Sequence, residues 1–266
     1  IASGEVNRYR FQARQGQRLV VSVKARELVP YIADAVPGWF QATLALYDSD
    51  GKEVGFVDDY RFDPDPVLFF DVPEDGEYVV AINEALFRGR ESFTYRLTVA
   101  ESPFVTSIFP LGARAGGEPV KIEMEGWNLE KTTLAPPPTD AKPGHYLIAA
   151  TNGNLVSNYV PFALDTLPEC LDAESNDDPS TAQKVTLPII VNGRIDRPDD
   201  WDVFEVTGKA GDTIVAEVTA RRLDSPMDSM LKLTDASGKV VAFNDDHEDL
   251  GAGLDTHHAD SYLMVE

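Results

Sequence analysis

Leu46–Asp59, LYDSDGKEVGFVDD, recurs at Leu233–Asp246 as LTDASGKVVAFNDD, with eight of the fourteen positions identical. Each copy holds an alternating apolar strand, an Asp-x-x-Gly-Lys turn, a second strand and a closing pair of aspartates. Gly51 and Gly238 supply the positive φ that such a hairpin turn needs, and the preceding Asp50 or Ser237 can bond back to the turn backbone. An internal repeat has to be settled before any fold assignment, because it dictates the architecture around it.

Outward from the hairpin the match continues. Asn7–Phe11 aligns with Asp202–Val206 at an offset of 195, and Ala25, Arg26 and Leu28 align with Ala220, Arg221 and Leu223. At the hairpin the offset falls to 187, so the first copy carries eight extra residues within Val29–Thr43, including the apolar Tyr31, Trp39 and Phe40. Asp65–Leu68 then pairs with Asp260–Leu263 at 195 again, with the second copy's insertion within His247–Ala259. Insertions at different places between strands held in register mark loops on a common β scaffold. The second copy stops opposite Asp71, roughly two strands short of the first, which would leave sheet edges unpaired. The expectation is that the natural chain continues past Glu266, so that further domains of the same chain are expected partners.

The 266 residues carry a formal net charge of −22 and 43% hydrophobic residues. The apolar fraction is ordinary for a globular chain. The charge argues against nucleic acid, whose phosphates need clustered Lys and Arg. No stretch approaches the 18 or more apolar residues of a membrane span. The single Cys170 excludes an internal disulfide framework.

Short apolar strands separated by turn residues recur through residues 1–101 and 167–266, the spacing of an all-β sandwich or barrel. Between them, Phe104–Leu129 puts a strand before a Gly-rich turn, then a strand at Val120–Met124 and a Gly-Trp-Asn-Leu corner. Further strands are expected after Lys142 and through Ser157–Phe162. Residues 102–166 resemble the IPT/TIG type of immunoglobulin-like domain, in a reduced form. The fold class expected is all-β: two jelly-roll-like β-sandwiches, residues 1–101 and 167–266, joined by a small immunoglobulin-like one, residues 102–166.

Chemistry concentrates in the acidic stretch Asp165–Ala182 and in the loop before Phe204. Glu174-Ser-Asn-Asp177 and Asp199-Asp-Trp-Asp202 each offer several oxygen donors within four residues. Calcium takes six to eight oxygens from carboxylates, amides and carbonyls in flexible geometry. On composition alone the stretch reads more readily as a solvated linker.

The second repeat, with E-x-N-D-D-P-x-x-A-Q, V-N-G-x-I-x-x-x-x-D-x-D-x-F and L-x-D-x-x-G, resembles bacterial pre-peptidase C-terminal domains, and the first does so from Asn7-x-Tyr-x-Phe11 onward. That resemblance implies jelly-roll-like sandwiches in secreted bacterial proteins. Through a related subset that binds calcium by an N-terminal arm, it implies Glu174, Asn176, Asp177, Asp199 and Asp202 as ligands, with Asp200 as substitute for Asp199. Asn7 replaces the aspartate in the first copy, so no site is expected there.

The closing residues, Asp58-Asp59 and Asn244-Asp245-Asp246, are expected to bond turn backbone rather than a metal. His257 and His258, adjacent in a strand, would point to opposite faces and so seldom share a zinc ion. No nucleophile–base pair or hydrolase motif is visible, and no catalytic residue is assigned. The function expected is a non-catalytic array of binding or spacer modules in a larger secreted or cell-envelope bacterial protein, located outside the cell, in the periplasm or at the cell surface. Calcium would order it, and β faces or loops would recognise a protein or polysaccharide. Two alternatives stand beside it. One is an accessory, targeting or secretion region of a secreted peptidase or other hydrolase whose catalytic domain lies elsewhere. The other is a structural component of a surface assembly.

Overall fold

The computed structural model describes residues 1–28, 40–138, 140–249 and 257–266, with residues 257 and 258 described by their backbone. The protein is all-β. The 3-10 turn Arg221–Leu223 is the one helical element among the described residues, and none of their helices is long and apolar enough to cross a membrane. Contacts divide the chain into two compact units. The first is Ile1–Phe104 with Gly126–Thr132 and Asn152–Ser157; the second is Val105–Glu125, Thr133–Thr151 and Asn158–Glu266.

In the first unit, β1 (Asn7–Ala13), β2 (Arg18–Lys24), β3 (Ala42–Tyr47), β4 (Glu53–Val57), β5 (Val67–Asp71), β6 (Gly76–Glu84) and β7 (Arg96–Ala100) form two sheets, β1-β6-β3-β4 and β5-β2-β7. Strand alternation sends Leu19, Val21 and Val23 of β2, Leu44 and Leu46 of β3, and Tyr78, Val80 and Ile82 of β6 into one core between them. Phe40, the last of the insertion's three aromatics, is 1% exposed and stacks on Phe93 at 5.2 Å, so it belongs to the core. Residues 29–39 of that insertion, with Tyr31 and Trp39, lie outside the described residues.

The corner Gly126–Leu129 belongs to the same unit. Trp127 stacks on Phe69 at 5.0 Å with the Arg18 guanidinium 4.3 Å over its ring, and Asn128 Nδ2 donates to the Arg18 and Ser102 carbonyls.

The second unit opens with a small sandwich portion. Gly112–Arg114 runs parallel to the end of Leu155–Asp165, with Gly112 opposite Ala163. A Cβ on Gly112 would stand 2.7 Å from the Ala163 carbonyl, so the approach requires glycine. The strand expected at Val120–Met124 forms later, at Glu123–Trp127. Glu118-Pro119 precedes it, and a proline cannot donate to a ladder, which delays the pairing.

The second repeat reproduces the first's hairpin in detail. Leu44–Tyr47 pairs with Glu53–Val57 and Leu231–Thr234 with Val240–Asn244, with a register shift at Leu46/Tyr47 in one and at Leu233/Thr234 in the other. Gly51 and Gly238 have φ of +77° and +84°. The turn acceptor is the repeated aspartate, not the residue before the glycine. Asp48 Oδ1 accepts from the Asp50 and Lys52 amides, and Asp235 Oδ1 from those of Ser237 and Lys239. In the first repeat β2 lies between β5 and β7, and β3 between β4 and β6. Their equivalents Ile214–Glu217 and Leu231–Thr234 each have one partner strand among the described residues.

The acidic stretch is not a solvated linker. Glu169–Leu171 pairs parallel with Ile190–Asn192, and Gln183–Lys184 parallel with Phe204–Glu205. Ladder hydrogen bonds therefore hold the arm on both sides of residues 172–182, against the strands that bracket the loop 193–203.

Candidate metal centre

The arm and the loop meet through backbone first. Asp172 N donates to the Asn192 carbonyl at 3.0 Å, and Val203 N to the Asn176 carbonyl at 3.0 Å. These two bonds fix where the carboxylates of each segment can reach. Asp172, Glu174 and Asp202 form one group and Glu174, Asp177 and Asp200 a second; within each, one oxygen per residue lies within 4.8 Å of the others. Oxygens bound to one calcium ion at about 2.4 Å are at most about 4.8 Å apart, so each group has the span of a coordination shell, and Glu174 is common to both.

Gly193 permits the closeness. A Cβ there would stand 3.0 Å from Asp202 Oδ2 and 3.5 Å from Asp172 Oδ2. Asp172 Oδ2 also accepts from the Arg194 amide at 3.1 Å, and Asp200 Oδ2 from the Asp196 amide at 2.7 Å.

Several polar atoms of the site are buried without a hydrogen-bond partner: Asp202 Oδ1, Asp200 Oδ1 and both side-chain atoms of Asn176. Asn176 is 0% exposed and sits between Glu174 and Asp177 in the chain. A buried polar group without a partner costs about 1–3 kcal/mol; a cation would offset that cost for the oxygens, though not for the Asn176 Nδ2 donor.

Burial, together with the charges of Asp172, Glu174, Asp200 and Asp196, pushes the Asp202 carboxyl up to about 6. The Asp196 N–H, with Asp177 and the Arg197 charge adding to it, holds the Asp200 carboxyl below its usual range. The donors are all oxygens, which suits a hard cation of the calcium or magnesium kind rather than zinc.

Of the sequence-predicted ligands, the structure places Glu174 with Asp202 in one group and with Asp177 and Asp200 in the other, and it buries Asn176, between Glu174 and Asp177 in the chain. Asp199 lies in neither group; it is exposed, at φ +64° in the turn after Pro198. Asp172 was missed. It follows the strand Glu169–Leu171 directly, and the signal that could have found it is a carboxylate two residues before Glu174, on the same face of an extended arm.

In the first repeat the position equivalent to Asp202 is Asn7, whose Nδ2 donates to Tyr95 Oη at 2.7 Å, with Tyr9 Oη 2.6 Å from the same oxygen. A neutral network stands where the second repeat gathers carboxylates. Elsewhere, the closing segment Asn244–Asp246 bonds backbone, Asn244 Oδ1 accepting from Tyr262 N at 2.8 Å. His247 packs on Tyr262 at 4.8 Å; the side chains of His257 and His258 lie outside the described residues.

No family model matches the chain. A segment of it is 34% identical over 108 residues to a probable subtilase-type serine protease of Deinococcus radiodurans. The match covers 37% of this chain and 15% of that protein. The chain is thus similar, over that segment, to a small part of a much longer serine protease.

Proposed function

We propose that this chain is a non-catalytic β-sandwich region, accessory to a secreted peptidase-type protein, in which calcium joins the arm of the second repeat to the loop before Phe204. The observation that carries the reading is the convergence of Asp172, Glu174, Asp177, Asp200 and Asp202, with buried oxygens that nothing bonds. The partial likeness to a subtilase-type protease favours the peptidase-accessory reading over a free-standing array. Glu174, belonging to both groups, would bind at the centre of the donor set. Asp172 and Asp202 would bind on one side, with Asp177 and Asp200 on the other. Calcium here would supply positive charge and coordination, closing the arm onto the sheet as a brace. The role that follows is to hold the second sandwich in one orientation for recognition of a protein or polysaccharide outside the cell, where free calcium is in the millimolar range that extracellular modules use.

Calorimetric titration of calcium into the full chain is expected to show saturable binding with a Kd of about 10⁻⁵ to 10⁻³ M. At a hundredfold excess over Kd the bound module gains about 2.7 kcal/mol, seen as a higher melting temperature in calcium than in chelator. No heat and identical melts would overturn the reading. Within it, Asp199→Gly is expected to leave calcium affinity within about twofold, since the side chain reaches neither group and glycine accepts φ +64° without strain. A large loss of affinity would place Asp199 in the ligand set instead.

A further inference from the structure

The loop between Asn192 and Asp200 carries two arginines that face different ways. Arg194 turns from the carboxylates: its Nη2 lies 2.7 Å from Glu123, and its guanidinium 3.8 Å over the Phe109 ring. Arg197 turns toward them. Its Nη2 donates a short hydrogen bond to Asp177 Oδ1 and lies 3.2 Å from Asp200 Oδ1. Those are two of the three carboxylates of the second group. The contact to Asp200 has the distance of an ion pair without the geometry of a hydrogen bond, so Asp200 Oδ1 remains buried and unbonded. The guanidinium neutralises charge at this end of the site but does not complete its coordination. At the other end, no ion pair reaches Asp172, Glu174 or Asp202 among the described residues.

Resting on the calcium reading above, we propose that Arg197 is a tethered counter-ion that occupies the Asp177–Asp200 end of the site when no cation is bound and sets how tightly the cation binds. A guanidinium cannot be deprotonated in this range and sits on a flexible stem, so it holds the carboxylates together without the metal. When a divalent ion arrives at Glu174, Asp177 and Asp200, Arg197 must swing out or remain as a like charge within about 5 Å, and either course weakens binding. Arg197 is half exposed, with its side chain at 52%, so an outward path exists. The ion-free arm stays assembled, and the site is tuned to release calcium when its concentration falls.

The test is calorimetric titration of calcium into the full chain, its Arg197→Gln variant and its Arg197→Lys variant, with melts of each in chelator and in calcium. Arg197→Gln is expected to bind about tenfold more tightly, the effect of removing one positive charge about 5 Å from a divalent ion even with water-like screening. The same variant is expected to melt lower than the unaltered chain in chelator, where its carboxylates repel, and to recover the difference in calcium. Arg197→Lys, keeping the charge, is expected to stay close to the unaltered chain. A loop that merely loses packing would melt lower in both conditions with no gain in affinity, and that result overturns the inference. Equal affinities in the unaltered chain and Arg197→Gln overturn it while leaving calcium binding intact, and weaker binding by Arg197→Gln does the same. No binding by any of the three overturns both readings. Binding by Arg197→Gln alone supports the counter-ion role and overturns calcium ordering of the unaltered chain.

Discussion

Asp65→Ala is expected to destabilise the first sandwich by about 3–5 kcal/mol, since each buried N–H left unpaired costs about 1–3 kcal/mol. Asp65 is 5% exposed and accepts three backbone amides: Ala25 N at 3.0 Å and Glu27 N at 2.9 Å on Oδ2, and Arg26 N at 2.7 Å on Oδ1. These amides leave the end of β2, where the chain turns out of the sheet and no ladder partner remains. Asp65→Asn separates the contributions. Its oxygen can keep the two donors on one side, while its amide group faces the third. The cost is then about 1–3 kcal/mol, that of one unpaired donor.

The second repeat holds the same device. Asp260, 2% exposed, accepts from the amides of Ala220, Arg221 and Arg222 and from Arg222 Nε. In a calorimetric scan the two compact units are expected to give two transitions. Asp65→Ala should lower one by about 12–20 °C, at about 4 °C per kcal/mol for a unit of slightly over 100 residues, and Asp260→Ala should lower the other. If either substitution moved both transitions equally, the units would not unfold separately.

Burial pushes the Asp260 carboxyl upward, but the Arg222 guanidinium and the three amides outweigh it and hold it below its ordinary 3.8. The stability it contributes is therefore complete above pH 3.8 and is lost as pH falls through the lower folded value.

That pair of aspartates shows how far the repeat could be read. Matching Asp65 to Asp260, and Ala25-Arg26 to Ala220-Arg221, was plain in the sequence, but the bond joining the two matched segments was not. It links residues 40 apart in each copy, and periodicity reports only the face of a strand, never its distant partner. The hairpin was legible because alternation and a glycine at positive φ are local, but its acceptor was misplaced by two residues, being Asp48 and Asp235 rather than Asp50 and Ser237. The arm was legible as acidic but not as paired. Glu169–Leu171 and Gln183–Lys184 are too short to show a period, and their parallel partners lie about 20 residues away. The Gly-Trp-Asn-Leu corner was legible as a corner. Its place beside Phe69 and Arg18 in the first unit was not, because stacking across 58 and 109 residues leaves no local trace.

In the site, turn chemistry could have separated Asp199 from Asp200. A proline followed by an Asp in the left-handed region is a turn signature, which spends Asp199 on the turn and leaves Asp200 to point inward. Arg197 went unremarked because a basic residue within an acidic run reads as solvation. Its role depends on which way the side chain turns, and Arg194, three residues earlier, turns the other way.

Asp202→Asn is expected to act in opposite directions with and without calcium. The Asp202 carboxyl is pushed up to about 6 by burial and by four neighbouring carboxylates, against an ordinary 3.8. Between those two values the folded chain holds a proton that the unfolded chain has released. Stability in chelator therefore falls as pH rises from about 4 to about 6, and stays at its lower level at pH 7. An amide keeps the shape and removes the buried charge, so in chelator at pH 7 the variant is expected to melt a few degrees higher than the unaltered chain. The gain should vanish at pH 4, where Asp202 is already protonated.

In calcium the order reverses. The variant loses a charged ligand from one side of the donor set, and its affinity is expected to fall by at least about a hundredfold, the upper end of what losing a mere outer-shell partner costs. At a calcium concentration that saturates the unaltered chain, that chain should melt higher than the variant. A structural aspartate would give a variant that melts lower in both conditions. A crossing of the melting temperatures between chelator and calcium belongs to a carboxylate that the fold holds at a cost for the sake of a cation. The same two melts at pH 7 therefore decide whether the acidic site is a strained ligand set or an ordinary polar corner of the sandwich.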